Sequence, residues 1–373
     1  MASIVYFTDM RTGYKKNLYD KLGALFTRSN IGETIREKDT VALKLHWGER
    51  GNLGFIPPTL VRYVVEKVKN FGGKPFITDT NTLYTGSRRN AVDNILTAIA
   101  NGFSPEVVGA PVIVADGLCG RDFAKVKIKG THFSEVKIAS AVHHAKALIS
   151  LAHFKGHEGT GFGGTLKNIG MGCGSPGGKQ NMHSDVKPSV NENNCTACGS
   201  CIEVCPVDAI TFTAERKSRI NHKKCIGCGE CVTVCNYNAI AVNWQSDLNV
   251  MQEKMVEYAL GVVQEKKQKC AFFDFVMNVS PDCDCCGWTD ASIVPDVGIL
   301  ASFDPVALDQ AALDLVNEAA ALPGTKLARK EAAANKFAAM YGVGGEHQLE
   351  YAEKIGLGSR KYELVRVACG GGG

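Results

Sequence analysis

The chain has 373 residues, 45% hydrophobic and 21% charged, which is apolar material for a sizeable core in two or three domains and excludes a wholly disordered chain. Lys plus Arg number 42 against 38 Asp plus Glu, and the net charge of +4 gives no general case for nucleic-acid or membrane-surface binding. No run of about eighteen uncharged apolar residues occurs, and the opening residues lack a basic-then-apolar leader pattern, so a cytoplasmic protein is expected.

In chain order, residues 40–45 are predicted as a strand and 57–70 as a helix. Pro57 and Pro58 stand at the helix start, Leu60, Val61, Val64, Val65 and Val68 form its apolar side, and Gly72-Gly73 closes it. Residues 74–78 follow as a strand, 88–100 as a helix, 111–115 as a strand, and 146–152 as an apolar strand ending at His153. This alternation is the pattern of a parallel α/β sheet. Residues 156–178 then hold 10 glycines and read as a loop. A cysteine-rich block spans 191–243, after which 247–263 reads as a helix, 270–276 as a strand and 304–316 as a helix. The fold class expected is therefore α/β with a mostly parallel sheet. Its first part covers 1–190, its second part 244–373, and the block at 191–243 is an insert between them. Two sequential α/β domains would give the same string. The glycines at 370–373 are expected to be a flexible tail.

The chain has 15 cysteines, an odd number, and the insert concentrates eight of them between Cys195 and Cys235, which argues for metal ligation in a reducing cell rather than a disulfide framework. Cys195, Cys198, Cys201 and Cys205 follow C-x2-C-x2-C-x3-C, with Pro206 next. Cys225, Cys228, Cys231 and Cys235 repeat the spacing, with Asn236 in the proline's place. Three thiolates three residues apart on a tight turn reach three corners of a cube, while the fourth cysteine, read as opening a helix, points elsewhere. Zinc sites use isolated cysteine pairs instead. Gly199, Gly227 and Gly229 supply turn freedom. Residues 194–242 resemble a bacterial-type two-cluster ferredoxin domain, down to an internal repeat in which Asp208-Ala209-Ile210 matches Asn238-Ala239-Ile240. That resemblance implies two [4Fe-4S] clusters with crossed ligation. One takes Cys195, Cys198, Cys201 and Cys235; the other takes Cys225, Cys228, Cys231 and Cys205.

Cys283, Cys285 and Cys286 stand together just after the 270–276 strand. They are candidates for a third metal or cluster, with Cys173 as a further ligand, for redox-active thiols, or for a buried group of reduced cysteine side chains. Cys119, Cys270 and Cys369 are lone and are expected to be structural.

The strand ending at His153 runs into Lys155, His157 and the glycines Gly159, Gly161, Gly163 and Gly164, then Lys167 and Asn168. A strand, a glycine-rich turn and a short helix present free N–H groups to an anionic ligand or cofactor, and the two lysines add charge. The run is neither a P-loop nor a dinucleotide fingerprint. His153 and His157 are candidate proton-transfer groups, with Lys155 and Lys167 contacting substrate. The competing view is a mere connection whose histidines bond backbone carbonyls. His46 and Asp79 end two other strands. In a parallel sheet such ends meet along one edge, so His46, Asp79, His153 and Lys155 are expected to share a pocket.

The stretches Leu43-Lys44-Leu45-His46-Trp47-Gly48, Ile77-Thr78-Asp79-Thr80 and His153-Phe154-Lys155-Gly156-His157, with the glycine run to Asn168, resemble the uncharacterised iron–sulfur proteins of the DUF362 family. So do the cysteine insert, Ile293-Val294-Pro295-Asp296 and Asp304-Pro305-Val306-Ala307-Leu308-Asp309. The resemblance implies an α/β domain carrying a ferredoxin module and names no reaction. The function expected is that of an intracellular redox protein of ferredoxin-type oxidoreductase character. Its clusters would exchange electrons with a site in the α/β domain, serving a redox partner protein or a small anionic substrate. The alternatives are a non-enzymatic electron carrier and a binding protein with structural or iron-sensing clusters. The oligomeric state is open.

Overall fold

The computed structural model describes residues 2–84, 86–183, 187–241, 247–266, 268–327 and 334–368. Eight strands form one sheet: β1 (Ser3–Asp9), β2 (Thr40–Lys44), β3 (Lys74–Asp79), β4 (Val112–Val114), β5 (Ala147–His153), β6 (Cys270–Val276), β7 (Gly298–Ser302) and β8 (Tyr362–Arg366). The order across the sheet is β8-β1-β7-β6-β5-β2-β3-β4. Only β7 runs against its neighbours, while the other pairings are parallel. The expected mostly parallel α/β sheet is therefore present. Strands from both sides of the cysteine block, β5 before it and β6 after it, pair directly with Ala152 opposite Asp274 and His153 opposite Phe275.

Side chains alternate between two cores, as strand geometry requires. Val41 and Leu43 of β2, Ile149 and Leu151 of β5, and Phe273 and Phe275 of β6 point to one face. There they meet Leu22, Leu25 and Phe26 of α1 (Leu18–Arg28) and the valines of α2 (Pro58–Asn70). Ala98 of α3 (Ala91–Ala100) joins the same core. The other face packs Leu148, Phe272 and Val276 against α4 (Thr165–Cys173), α5 (Pro176–His183), α6 (Leu248–Gln264) and α7 (Pro305–Glu318). Among the described residues no helix is long and apolar enough to cross a membrane.

The segment 156–178 is not the loop expected. Lys155–His157 pairs with Gly161–Gly163 as a small hairpin, and α4 and the first turn of α5 follow. The glycines here serve close approach. A Cβ on Gly170 would stand 2.4 Å from the Met255 carbonyl oxygen, and one on Gly178 would stand 2.8 Å from the Tyr258 ring, so both helices lie tight against α6. Nor are the N–H groups at the start of α4 free for a bound anion. Thr165 and Leu166 N–H donate to the Asp309 carboxylate at 2.7 and 2.9 Å, so a carboxylate of the chain occupies the positive end of the helix.

The cysteine block forms a small body with its own apolar centre. The repeat seen in the sequence is a repeat of conformation. Gly199 and Gly229 precede the short helices Ser200–Glu203 and Glu230–Val234 with φ of 82° and 75°. Asp208 and Asn238 share φ near 50°, and Asn221 and Asn191 N–H donate to the Ala209 and Ala239 carbonyls at 2.7 and 2.6 Å. Cys201 and Cys231 lie within these helices, and Cys205 and Cys235 follow them rather than opening them. Residues 242–243 of the block, Cys369 and the glycines at 370–373 lie outside the described residues.

Asp309 is itself part of a buried carboxyl pair. Asp274 accepts the Thr165 hydroxyl at 2.9 Å on one oxygen, and its second oxygen faces no donor. Burial, then the charge of Asp309, drives the Asp274 pKa far up. Burial also raises Asp309, to about 6. Asp274 thus holds a proton and donates it to Asp309. A pKa raised by folding contributes stability that is complete at low pH and lost as pH climbs through the folded value. Thermal melts should therefore show stability falling by roughly 1–3 kcal/mol as pH rises through about 6. Asp309→Asn, which removes the carboxyl that titrates there, should flatten that slope.

Candidate functional site

The topology sets the site. From β2 the chain builds outward through β3 and β4, then crosses back to place β5 on the other flank of β2. At such a switch point the carboxyl ends of the strands diverge and leave a crevice. A cavity of about 760 Å³ opens there, a size typical of small-molecule sites. Its wall includes Lys44 and His46 from the end of β2, Asp79 from β3, Lys155 after β5, Lys167 on α4 and Lys179 and His183 on α5. Leu83, Met171, Leu248 and Met251 supply an apolar part, and Cys283 and Cys285 close one side.

His46, Asp79 and Lys155, three of the four residues expected to share a pocket, line this cavity, as do His157, Lys167 and Gly159. The fourth, His153, is buried behind the wall. Its Nδ1 meets both Asp284 oxygens at 3.0 and 2.9 Å, and its Nε2 meets the Met277 carbonyl at 2.9 Å. With both nitrogens engaged, His153 orients Asp284 and does not touch a ligand. Gly161, Gly163 and Gly164 also stand apart from the cavity lining. Gly161 is packed against residues 343–345 and Gly164 against Asp309. Cys286 does not line the cavity. Cys173, expected as a partner of that loop, lies in the core with its Sγ 4.0 Å from the Asn168 carbonyl, and burial pushes its thiol up to about 11. Cys270 is buried as expected, whereas Cys119 is exposed. Among the described residues no three His, Cys, Asp or Glu side chains converge on a point suited to a single metal ion.

Charge dominates the cavity floor. Asp79 is 3.0 Å from Lys44 and 3.2 Å from Arg88, and Arg88 also reaches Glu49 at 3.3 Å. Asp79 is thus the counter-ion of two buried cations rather than a free base. Lys155 stands 3.5 Å from Asp284. Burial alone would raise Asp284, but His153 and Lys155 outweigh it and hold its pKa at about 2. The Lys179 ammonium is surrounded by the Thr80 hydroxyl and the Asn81 and Gly174 carbonyls at 2.5–2.8 Å. Burial lowers it to about 8. Among the described residues the Lys167 ammonium has one hydrogen-bond contact, the Cys283 sulfur at 3.7 Å, and so retains donors for a ligand.

The histidines are not the near-neutral titrators their type suggests. Burial, reinforced by Arg88 at His46 and by Lys167 at His157, pushes both well below the ordinary value. His46 Nδ1 accepts the Gly48 N–H at 3.0 Å, and His157 Nδ1 accepts the Gly159 and Thr160 N–H at 3.1 and 3.2 Å. Each ring is therefore neutral with Nε2 as its donor. Lys44, Arg88, Lys179 and Asp284 were not among the site residues expected from the sequence. The one local signal was Lys44, a charge inside an otherwise apolar strand.

Beside this cavity the cysteine block carries two further hollows. Cys195, Cys198, Cys201 and Cys235 line one; Cys205, Cys225, Cys228 and Cys231 line the other. The 14 described cysteines are all free thiols. Backbone N–H groups point at four of these sulfurs: Ser218 at Cys195, Ala209 at Cys205, Gly227 at Cys225 and Ala239 at Cys235, at 3.2–3.4 Å. Leu83 belongs to the apolar centre of the block and also to the cavity wall. Arg89 grips the block through Asn238 at 2.7 Å and through the Val232 and Cys235 carbonyls. On α5, a Cβ at Gly177 would lie 3.2 Å from the Cys228 carbonyl.

The profile of a family described as a domain of unknown function, DUF362, matches residues 41–314. The chain belongs to the DUF362 family. That match spans the strand ends, the cavity and the cysteine block of this DUF362 protein. No curated protein matches the chain. Among solved structures it is similar to the lactate racemase apoprotein from Thermoanaerobacterium thermosaccharolyticum, with TM-score 0.37, 10% identity, and 74% of this chain and 51% of that one covered. It is also similar to a protein from Thermotoga maritima, with TM-score 0.40, 10% identity, and 81% and 59% covered. The DUF362 chain thus spans about half to three fifths of the length of these proteins.

Asp284 gives a direct test of this electrostatic arrangement. A pKa depressed by folding contributes stability above the ordinary value near 4 that is lost as pH falls towards 2. Asp284→Ala would leave Lys155 and His153 buried without their counter-charge. It should lower unfolding stability by about 3–5 kcal/mol at neutral pH, measured by urea denaturation, with the difference from wild type shrinking in acid.

Proposed function

We propose that this DUF362 protein is an iron–sulfur redox protein of the reducing cytoplasm, moving electrons between a partner protein and an anionic substrate held in the cavity. The observation that carries this reading is the sorting of the eight cysteines into two four-thiol hollows, each drawing one cysteine from the other repeat. Soft thiol donors with backbone N–H groups aimed at their sulfurs suit [4Fe-4S] clusters. When bound, two such clusters supply electrons one at a time.

The chain's own residues account for the rest. Cys198 is exposed, so the first hollow is where a partner can dock. Leu83 and α5 join the second repeat to the cavity. Inside, Lys167 and Lys155 draw an anion, and the neutral His46 and His157 rings offer N–H donors to it. Leu83, Met171, Leu248 and Met251 cover an apolar portion of the substrate and exclude water from it. A plain electron carrier would have no use for a cationic cavity of this size, which favours an oxidoreductase.

Anaerobically prepared protein should contain about eight iron and about eight sulfide per chain. Replacing Cys205 together with Cys228 by Ser should remove about half, since both belong to one hollow. Replacing Cys205 together with Cys201 should remove nearly all. Zinc in place of iron, or the reverse pattern of loss, would overturn the assignment.

A further inference from the structure

The loop 283–286 is built to hold thiols in place. The Cys286 N–H donates to the Cys283 carbonyl at 2.9 Å, closing a turn, and the Glu49 N–H donates to the Asp284 carbonyl at 2.9 Å. Asp284, between the first two cysteines, is fully buried and fixed by His153 and Lys155. The thiols on either side of it are thereby set against the cavity wall. The Cys285 side chain hydrogen-bonds those of both Cys283 and Cys286, and the Cys285 N–H approaches the Cys283 sulfur at 3.5 Å. Cys283 and Cys285 line the cavity, and Cys286 does not. Cys283 is therefore the neighbour that shares the cavity wall with Cys285, within reach of the side-chain approach a disulfide requires. Lys167 Nζ, 3.7 Å from the Cys283 sulfur, is placed to neutralise a thiolate released when such a bond opens.

We infer that Cys283 and Cys285 form a redox-active pair that cycles between dithiol and disulfide at the cavity wall. In the reductive direction the S–S bond breaks, taking up two electrons and two protons, and each sulfur ends as a thiol. In the oxidative direction both S–H bonds release their protons and two electrons leave as the S–S bond forms. The electrons arrive singly from the clusters proposed above, so the source of electrons rests on that reading, while the thiol couple itself does not. The pair thereby accumulates what a one-electron supply delivers and presents it to the cavity as the two-electron equivalent that organic bonds require. The substrate class is then an organic anion that exchanges electrons in pairs.

The test poises the full-length, iron-loaded protein anaerobically in mixtures of reduced and oxidised dithiothreitol. Samples are quenched in acid, unfolded and alkylated with N-ethylmaleimide, and the peptide carrying residues 283–286 is mapped by mass spectrometry. Under oxidising mixtures this peptide should carry one label instead of three and an internal bond between Cys283 and Cys285. Reducing mixtures should restore all three labels, with Cys173 and Cys270 fully labelled throughout. Cys285→Ser, at a partly exposed position, should abolish the change and keep the iron content of wild type. Three labels under every mixture, or a bond between Cys285 and Cys286, would overturn the inference. So would iron or zinc beyond the two clusters that is lost on Cys285→Ser. Iron is counted on the same samples, so a chain that cycles these thiols without binding iron supports the pair and refutes the cluster reading.

Discussion

Asp79 lies between two cations that could not be buried without it. Lys44 and Arg88 are almost wholly inaccessible to water, and a buried charge is tolerated only when paired and hydrogen-bonded. Their shared counter-ion ends β3 beside the end of β2, so the network ties the two strand ends together where the sheet topology opens a crevice. Lys44 also reaches Asn168 of α4 at 2.8 Å, and Asn168 returns to the Lys44 carbonyl and the Ser150 hydroxyl at 3.0 and 2.9 Å. The orientation of the helix forming one cavity wall therefore follows from the same charges. A second network of the same kind, Lys155 with Asp284 and His153, fixes the opposite wall and the cysteines on it.

The two networks divide the cavity's cations by availability. Lys44, Arg88 and Lys155 have carboxylate partners, and Lys179 is wrapped by oxygens, so their charge shapes the field while their donors are committed. Lys167 is differently placed, with a thiol for its neighbour. In a low-dielectric crevice a cation without a paired carboxylate is a strong anchor for an anion, which makes Lys167 the group that would decide where a ligand's charge sits.

How much was legible in the sequence follows from where the information lies. β2, β3, β5 and β6 are covered on both faces, so they appear as apolar runs of strand length and were readable. β8 is an edge strand of half-buried and exposed positions and carries no such run. The start of α4 was read as a short helix after the glycine turn, but its length and α5 were hidden because their glycines exist for the sake of Met255 and Tyr258 on α6, residues far along the chain that no local window includes. The meeting of His46, Asp79 and Lys155 followed from strand ends alone. The pairing of Arg88 with Asp79 and of Lys179 with Thr80 did not, because neither side chain lies on a predicted strand end and no spacing rule joins residues 9 and 99 apart. His153 was misjudged because the type of a side chain says nothing of what faces it. Two acceptors on opposite nitrogens turned a candidate proton carrier into a strut.

The capping of α4 by Asp309 has a consequence for how the molecule assembles. The partners are 144 residues apart, and the whole cysteine block lies in the loop between them. A helix that begins with glycine and lacks a capping side chain of its own has little to hold its first turn until that loop has closed. Closing so long a loop loses entropy well before its contacts form. The wall bearing Lys167 should accordingly be among the last parts of the chain to become ordered, after the cysteine block has collapsed and drawn the two ends of the loop together.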